Sequence, residues 1–154
     1  MLTDVERQEI ERELKLYPDK RAGCVEAMKV VQRHRGWISD ESLKSLAPLL
    51  GMSCEDLDGV ATFYNLIFRK PVGKHVILLC DSVSCWMKGC DAVRERLTAR
   101  LGVSMGETSA DGRFTLLPIV CLGACDRAPV MMIDDDLHED LFVEKIDRIV
   151  DQYP

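Results

Sequence analysis

Two pairs of cysteines are the residues of this chain whose type and spacing could do chemistry. The first pair bounds the sequence Cys80-Asp-Ser-Val-Ser-Cys85, and the second pair bounds Cys121-Leu-Gly-Ala-Cys125. Four thiolates supplied by two loops are the ligand set of an iron–sulfur cluster or of a structural zinc ion. The spacing therefore predicts a metal centre with four ligands, which are Cys80, Cys85, Cys121 and Cys125.

The spacing within each pair favours an iron–sulfur cluster over zinc. Structural zinc loops usually carry two cysteines with two residues between them, whereas these pairs enclose four and three residues. Gly123 would let the backbone approach the sulfides, and its amide can donate a hydrogen bond to sulfur. Arg127 would place one cation beside the cluster. Zinc, and thiols that bind no metal, stay open as alternatives, whereas a thiol–disulfide enzyme would need a Cys-x-x-Cys sequence, which does not occur.

The other three of the seven cysteines are interpreted as packing residues. Cys90 follows Cys85 with the same spacing as the first pair, but it stands at the start of a predicted helix, where a small buried residue is commonly needed. Cys24 and Cys54 have no partner nearby in the sequence and are expected in a core. In a reducing compartment a set of disulfides is a poor explanation for so many cysteines, and metal or redox use is a better one.

The remaining candidate side chains predict no second site. The three histidines, His34, His75 and His138, are scattered and are expected to be structural or solvated. The acidic stretch 134–136 is interpreted as a solvated turn, because three adjacent carboxylates do not converge on one cation. No glycine-rich phosphate loop or dinucleotide fingerprint is present, so the chain is not expected to hold NADH or a flavin by itself.

Composition excludes several classes of function. The chain has 154 residues, 47% of them hydrophobic, and a formal net charge of −6. No block of lysines and arginines supports binding to nucleic acid, and no apolar run approaches the roughly 18 residues that span a bilayer. The charged first ten residues lack the apolar region of a secretory signal. We therefore expect a cytoplasmic protein, or one exposed to the cytoplasm on a larger assembly, without direct membrane insertion.

Helical patterns occupy the first part of the chain, residues 1–70. Apolar residues at helical spacing predict helices over about 5–16 and 21–35, a third helix that starts after Ser39 and ends at Gly51, and a short fourth helix after Ser53. Pro48 is expected to kink the last turn of the third helix. These helices with short connections predict a helical bundle.

From residue 71 to 154 the pattern changes to alternating strands and helices. Strands are predicted over 75–79, 114–120 and 130–133, and helices over about 89–100 and 139–150, the last with Phe142 and Val143 facing inward. The order strand-helix-strand-strand-helix predicts a small α/β domain. Each cysteine pair directly follows a predicted strand, so two strands would bring both pairs to one rim of a sheet. The fold class is thus mixed α+β or α/β, with a helical bundle first.

Several motifs resemble one known family, the thioredoxin-like [2Fe–2S] subunits of respiratory NADH:quinone oxidoreductase (complex I). The resemblance includes the two cysteine pairs, the Leu-Gly step after Cys121 and the dipeptide Ala128-Pro129. It extends into the helical part through the sequences 35–38 (RGWI) and 59–64 (GVATFY), and it covers nearly the whole chain. The sequences 112–118 and 131–134 are especially similar to those of bacterial members.

The resemblance implies a thioredoxin-like second domain and one [2Fe–2S] cluster on the four paired cysteines. It implies an electron-transfer subunit of a respiratory-chain oxidoreductase, in which the cluster exchanges an electron with the FMN of a partner flavin subunit. That partner would hold the FMN and the NADH site, and the present chain would not be catalytic alone. The helical bundle would dock on the flavin subunit, with residues 60–68 contributing, in the peripheral arm of the membrane-bound complex.

Two other functions stay open at this stage. Homologous subunits of NAD-linked formate dehydrogenase or hydrogenase use the same module, and sequence separates them poorly from complex I. A zinc-stapled interaction module without redox function is the second alternative. Chemical analysis distinguishes the electron-transfer subunits from the zinc module, since an iron–sulfur protein contains acid-labile sulfide and a zinc protein does not.

Overall fold

Four helices form the first of two units into which the chain divides. The computed structural model describes residues 1–154, and the boundary between the units lies between Pro71 and Val72. The helices are α1 (Asp4–Leu14), α2 (Cys24–Arg35), α3 (Asp40–Leu50) and α4 (Cys54–Phe63), with a short 3₁₀ turn before α2. None of the helices in the chain is both long enough and apolar enough to cross a membrane.

Local capping explains where these helices begin and end. The side chains of Thr3, Ser39 and Ser53 each accept a hydrogen bond from a backbone amide of the first turn that follows. Gly36 and Gly51 end α2 and α3 with φ values of 81° and 64°, which glycine adopts without steric cost. Both serine caps and the Gly51 stop are as predicted. Helix α3 continues past the internal Pro48 to Leu50.

Apolar faces of all four helices form the core of this unit, and two arginines add polar contacts at its edge. Arg35 donates to both carboxylate oxygens of Glu6, at 2.6 and 2.7 Å, and so connects α2 to α1. Arg69 contacts Asp40, Asp58 and the carbonyl oxygen of Ile38, and so holds the segment after α4 on the bundle. The buried core residues include Ile10, Ala27, Met28, Val30, Val31, Ile38, Leu46, Leu50, Leu57 and Ala61.

A four-stranded sheet and three helices form the second unit. The elements are β1 (His75–Cys80), α5 (Val83–Met87), α6 (Cys90–Leu101), β2 (Phe114–Ile119), β3 (Met131–Ile133), β4 (Asp136–His138) and α7 (Val143–Val150). The strand order in the sheet is β2-β1-β3-β4, in which β1 pairs in parallel with β2, and β3 is antiparallel to both β1 and β4. The mixed α+β fold class predicted from the sequence is confirmed.

Two elements of this unit, α5 and β4, were not predicted, and the helix α7 begins later in the chain than predicted. Helix α5 follows Cys80, and β4 begins at Asp136, within the stretch predicted as a turn. The turn that connects β3 to β4 is tight, and Asp134 adopts a φ of 53° in it. Helix α7 begins at Val143, four residues later than predicted, because Asp140 adopts a φ of 48° and Phe142 is extended. The prediction that Phe142 and Val143 face inward is therefore wrong, since they are 49% and 39% exposed.

The roles assigned to the two units, partner docking for the first and cluster binding for the second, stay predictions.

Candidate metal centre

The parallel pairing of β1 and β2 brings the first cysteine of each pair to one edge of the sheet. Cys80 is the last residue of β1 and lies opposite Ile119, the last residue of β2. Cys121 follows two residues after that point. The carboxyl ends of adjacent parallel strands are the usual location of binding sites in α/β folds. The two cysteine loops are therefore neighbours, although about forty residues separate them in the sequence.

The second pair is preformed for one metal ion. The sulfurs of Cys121 and Cys125 lie 3.7 Å apart, and both residues are exposed. Two thiolates on one tetrahedral metal, at metal–sulfur distances of about 2.3 Å, lie about 3.8 Å apart. The amide of Gly123 donates a hydrogen bond of 3.4 Å to the sulfur of Cys121, and a φ of 82° at this glycine makes that bend of the loop possible. The pair thus fits a shared metal without further rearrangement.

The first pair is buried. Cys80 and Cys85 are each 1% exposed and belong to one apolar cluster, against which Leu122 and Ala124 of the second loop also pack. Cys85 is carried by α5, and the thiol of Cys80 donates toward the carbonyl oxygen of Val120 at 3.6 Å. The two pairs therefore share one packed region, with one pair inside it and the other at the surface.

One thiol of each pair has a raised pKa, Cys85 in the first pair and Cys125 in the second. Burial raises the pKa of Cys85 to about 11, and the neighbouring Cys80 thiol adds to this increase. The hydrogen bond in which the Cys125 thiol donates to the sulfur of Cys121 raises the pKa of Cys125, and the Ser84 hydroxyl acts in the opposite direction. A bound metal ion ionises such thiols outright. The guanidinium of Arg127, the cation expected beside the cluster, pairs with Glu139 at 3.0 Å, so a carboxylate of the same chain balances its charge.

The four cysteines are arranged as two pairs rather than as one set. No group of three or more histidine, cysteine, aspartate or glutamate side chains converges on a position where a single ion could be held. Structural zinc takes four ligands around one ion, whereas a [2Fe–2S] cluster has two irons that share the four cysteines. Two cysteine pairs match the ligand set of two irons.

Comparison with known proteins agrees with this geometry. The sequence model of the family described as thioredoxin-like [2Fe-2S] ferredoxin matches residues 10–154. The chain belongs to this ferredoxin family. It is also 46% identical to the E subunit of NADH-quinone oxidoreductase from Pseudomonas aeruginosa over 153 residues, which are 99% of this chain and 92% of that protein. The corresponding protein of Escherichia coli is 47% identical over 152 residues, again 99% of this chain and 92% of that protein. The resemblance drawn from the sequence motifs is confirmed.

One solved structure of a larger protein shares the fold. The crystal structure of an NAD⁺-reducing [NiFe]-hydrogenase in the H₂-reduced state matches with a TM-score of 0.73 and 23% sequence identity. The match covers 85% of this chain but only 22% of the hydrogenase chain. At this identity the match shows the fold alone, so the thioredoxin-like ferredoxin fold recurs as a module within a much longer chain.

The other three cysteines of this ferredoxin chain belong to neither pair, and their surroundings differ. Cys90 is 3% exposed and belongs to the same apolar cluster as Cys80 and Cys85. Cys24 is buried in the core of the helical unit, as expected. Cys54 is only half-buried, because it lines a cavity of about 240 Å³ next to Arg69.

The histidines have structural partners, as expected, and one aspartate has an unexpected role. His75 stands at the opposite end of β1 from Cys80 and contacts Asp134 at 2.6 Å. Asp134 also accepts a hydrogen bond from the amide of Val76 at 2.9 Å. Asp134 is exposed and lies in a turn, as predicted, but both of its carboxylate oxygens also bind to β1. His34 contacts Glu9 and His138 contacts Tyr153.

A set of exposed apolar side chains accompanies the cysteine loops and was missed in the sequence. Its members flank the ligand positions in the chain, and each is more than 60% exposed: Val83, Trp86, Met87 and Val120. The sequence could have indicated this set, because apolar residues stand next to Cys85 and Cys121, where polar residues are usual if the segment is a surface loop. We call these four residues the apolar rim.

Proposed function

We propose that this chain is the electron-transfer subunit of a bacterial NADH:quinone oxidoreductase. In this proposal it holds one [2Fe–2S] cluster and exchanges single electrons with the FMN of a partner flavin subunit. The observation that carries the proposal is the match, over 99% of the chain, to the E subunits of two bacterial NADH-quinone oxidoreductases. The proposed ligands are those predicted from the sequence: Cys80, Cys85, Cys121 and Cys125.

The protein side chains have separate tasks in this function. When bound, the cluster supplies one-electron redox chemistry. Cys80 and Cys85 would ligate the [2Fe–2S] cluster from buried, apolar surroundings, whereas Cys121 and Cys125 would ligate it at the surface. The Gly123 amide donates to the sulfur of Cys121 and stabilises negative charge there, which raises the reduction potential.

The partner protein supplies what this chain lacks. The sequence carries no dinucleotide or phosphate-binding motif, so FMN and NADH are assigned to the flavin subunit. The apolar rim supports docking beside the exposed cysteine pair, since aromatic residues and methionine are enriched in protein interfaces. Docking at this edge would bring the exposed pair close to the electron donor or acceptor of the partner.

The helical unit offers a second docking surface. Phe63 is 81% exposed, Tyr64 47% and Leu66 45%, and no charged residue occurs between residues 59 and 68. Gly59 lies within α4, yet a Cβ added there would meet no atom of this chain. A helix of an isolated protein would be more stable with alanine at such a position. We assign this surface, within residues 60–68, to contact with the flavin subunit, and the whole chain to the cytoplasmic peripheral arm of the membrane-bound complex.

Two other functions have weaker support. A homologous subunit of an NAD-linked hydrogenase or formate dehydrogenase would have the same fold, but identity to the hydrogenase is 23%, against 46% and 47% to the quinone-linked subunits. A zinc-stapled interaction module would need four ligands around one ion, whereas the family model that matches residues 10–154 describes a [2Fe-2S] ferredoxin.

Metal analysis of the anaerobically purified chain tests the proposal. We expect two irons and two acid-labile sulfides per chain, and an S = 1/2 electron paramagnetic resonance signal after reduction with dithionite. One zinc without sulfide would contradict the proposal and leave the interaction module. Co-expression with the flavin subunit and the rest of the complex distinguishes an NADH:quinone oxidoreductase from an NAD-linked hydrogenase or formate dehydrogenase, because only the first assembly reduces quinone.

The docking surface has its own test in the same co-expression. Phe63→Asp should reduce the amount of flavin subunit that co-purifies, because it places a charge in an apolar interface. Leu16→Asp is the matched control, because Leu16 is an apolar residue of the same unit with 77% exposure. Equal co-purification of both variants would contradict the assignment of this surface.

A further inference from the structure

One side of α4 is exposed, and its chemistry changes along the helix. Residues 55, 59 and 63 follow one another at intervals of four, so they lie on the same side of the helix. Glu55 and Gly59 are exposed, and Phe63 is 81% exposed. This side of α4 therefore presents, in order, a carboxylate, a position without a side chain and an aromatic ring.

Gly59 has no role within this chain that would require glycine. Its φ lies outside the left-handed region, so other residues can adopt this backbone conformation. Beyond the backbone of its own helix, a Cβ at this position would have no atom of the chain within 4 Å. Glycine makes a helix less stable than alanine does, and its use on an exposed helix side is to let the backbone of another molecule come close.

The carboxylate of Glu55 is available to a cation of another molecule. The two other acidic residues of α4 already have partners, since Asp56 pairs with Arg21 at 3.9 Å and Asp58 pairs with Arg69 at 2.7 Å. Glu55 forms no ion pair within the chain. A cation that binds to Glu55 therefore displaces no cation of this chain, and such a pair mainly directs association and sets its orientation.

The apolar end of this surface is held in a fixed shape. The side-chain amide of Gln32, in α2, donates to the carbonyl oxygen of Leu66 at 2.8 Å and accepts from the amide of Phe68 at 2.7 Å. Ile67 between them is buried, whereas Leu66 is 45% exposed. Because the backbone is fixed on both sides of Ile67, little ordering of this segment is required when a partner binds.

We propose that a segment of the flavin subunit lies along this side of α4, with its backbone against Gly59. The segment carries a lysine or arginine that pairs with Glu55, and an apolar side chain that packs against Phe63 and Leu66. The proposal rests on the function proposed above, which assigns residues 60–68 to contact with this partner. It adds the point of closest approach and the chemistry of the partner segment.

A second copy of this chain does not fit the same surface. In a two-fold pairing this side of α4 meets itself, so Glu55 would face either Glu55 or Phe63 of the other copy. The first arrangement sets two like charges together, and the second buries an unpaired carboxylate against a ring. The order of a carboxylate, a glycine and an aromatic ring therefore requires a different chain as the partner.

Titration of the full, iron-loaded chain with purified flavin subunit tests the contact at Gly59. Gly59→Ala should raise the midpoint of urea unfolding of the helical unit and yet weaken binding about tenfold, because the added Cβ displaces the partner backbone. A role of Gly59 within this chain alone would change the midpoint without changing the affinity. Arg7→Ala, at an exposed position of α1, is the control and should bind as the wild type does.

The dependence of binding on salt tests the ion pair of Glu55. The affinity of the wild type should fall as the salt concentration rises from about 0.05 M to about 0.5 M, and Glu55→Gln should remove most of this fall. Glu11→Gln, which neutralises an exposed carboxylate of α1, is the matched control and should keep it. A fall in Glu55→Gln as steep as that of the wild type would overturn the proposal.

The remaining outcomes separate this proposal from the function on which it rests. Wild-type affinity in Gly59→Ala would overturn the close approach at α4, while binding of the flavin subunit by the wild type would still support the proposed function. Failure of the wild-type chain to bind the flavin subunit would overturn the proposed partnership, and this proposal with it.

Discussion

Glu6 provides the sharpest quantitative prediction for the helical unit. Its carboxylate is 2% exposed and accepts two hydrogen bonds from Arg35, at 2.6 and 2.7 Å. The Arg35 guanidinium, aided by Thr3 and opposed by burial, lowers the pKa of Glu6 from 4.5 to about 2. At about 1.4 kcal/mol per pKa unit, the ionised carboxylate contributes about 3 kcal/mol to the free energy of unfolding at neutral pH.

The sign and the pH range follow from the lowered pKa of Glu6. A carboxyl whose pKa is lower in the folded chain stabilises the fold above its unfolded pKa, and this stability is lost as pH falls toward the folded value. At about pH 3, about 1.4 kcal/mol of the contribution of Glu6 to the free energy of unfolding remains, because protonation and unfolding are thermodynamically linked. Glu6→Gln imitates the protonated carboxyl and keeps an acceptor for the amide of Thr3, which belongs to the same capping box. The variant should therefore be about 3 kcal/mol less stable than the wild type at pH 7.

Urea unfolding followed by tryptophan fluorescence measures this difference. The chain has two tryptophans, Trp37 in the helical unit and Trp86 in the other unit, so a Trp86→Phe background reports on the helical unit alone. Glu11→Gln is the matched control, because Glu11 is an exposed residue of the same helix. A difference between Glu6→Gln and its parent that stays constant between about pH 7 and about pH 3 would refute the reasoning.

Three further predictions concern stability. Gly73→Ala should lower the stability of the second unit by about 1–3 kcal/mol in urea unfolding, because its Cβ would lie 2.9 Å from the carbonyl oxygen of Gly112; an unchanged midpoint would contradict this contact. Arg69→Met should destabilise the helical unit by about 2 kcal/mol, since it removes hydrogen bonds that include one of 2.7 Å to Asp58, and a loss below about 0.5 kcal/mol would contradict it. Burial lowers the pKa of His138, so the unfolded chain binds a proton at this residue more readily than the folded chain does. The melting temperature should therefore fall as the pH is lowered from about 7 to about 5.5, and His138→Gln should make that fall smaller.

Features set by neighbouring residues could be predicted from the sequence. Ser39 and Ser53 cap helices, and Gly51 ends one, because capping depends on a side chain and the few amides beside it. Strands β1 and β2 were recognised from their apolar runs, and the cysteine pairs that follow them were placed together at one rim. The common location of the two cysteine pairs depends only on the parallel direction of the two strands, since parallel strands end at the same edge of a sheet.

Features that depend on contacts between distant residues could not be predicted in this way. The short strand β4 is formed by pairing with β3, and nothing in its three residues distinguishes it from a turn. Phe142 was expected inside because it continues an apolar pattern, but the backbone at Asp140 starts the helix after it. The salt bridge between Glu6 and Arg35 joins residues twenty-nine positions apart, and each looks like an ordinary surface charge in the sequence.

The sequence by itself determined the chemistry of this protein, because the number, type and spacing of its cysteines limit the metal centre to a few kinds. Only the tertiary structure decided how the seven thiols differ. Cys85 and Cys90 have equal standing in the sequence, each following another cysteine after four residues. The turn at Gly89 separates them, with Cys85 in the short helix α5 and Cys90 at the start of α6, and these positions depend on packing between elements that no local pattern encodes.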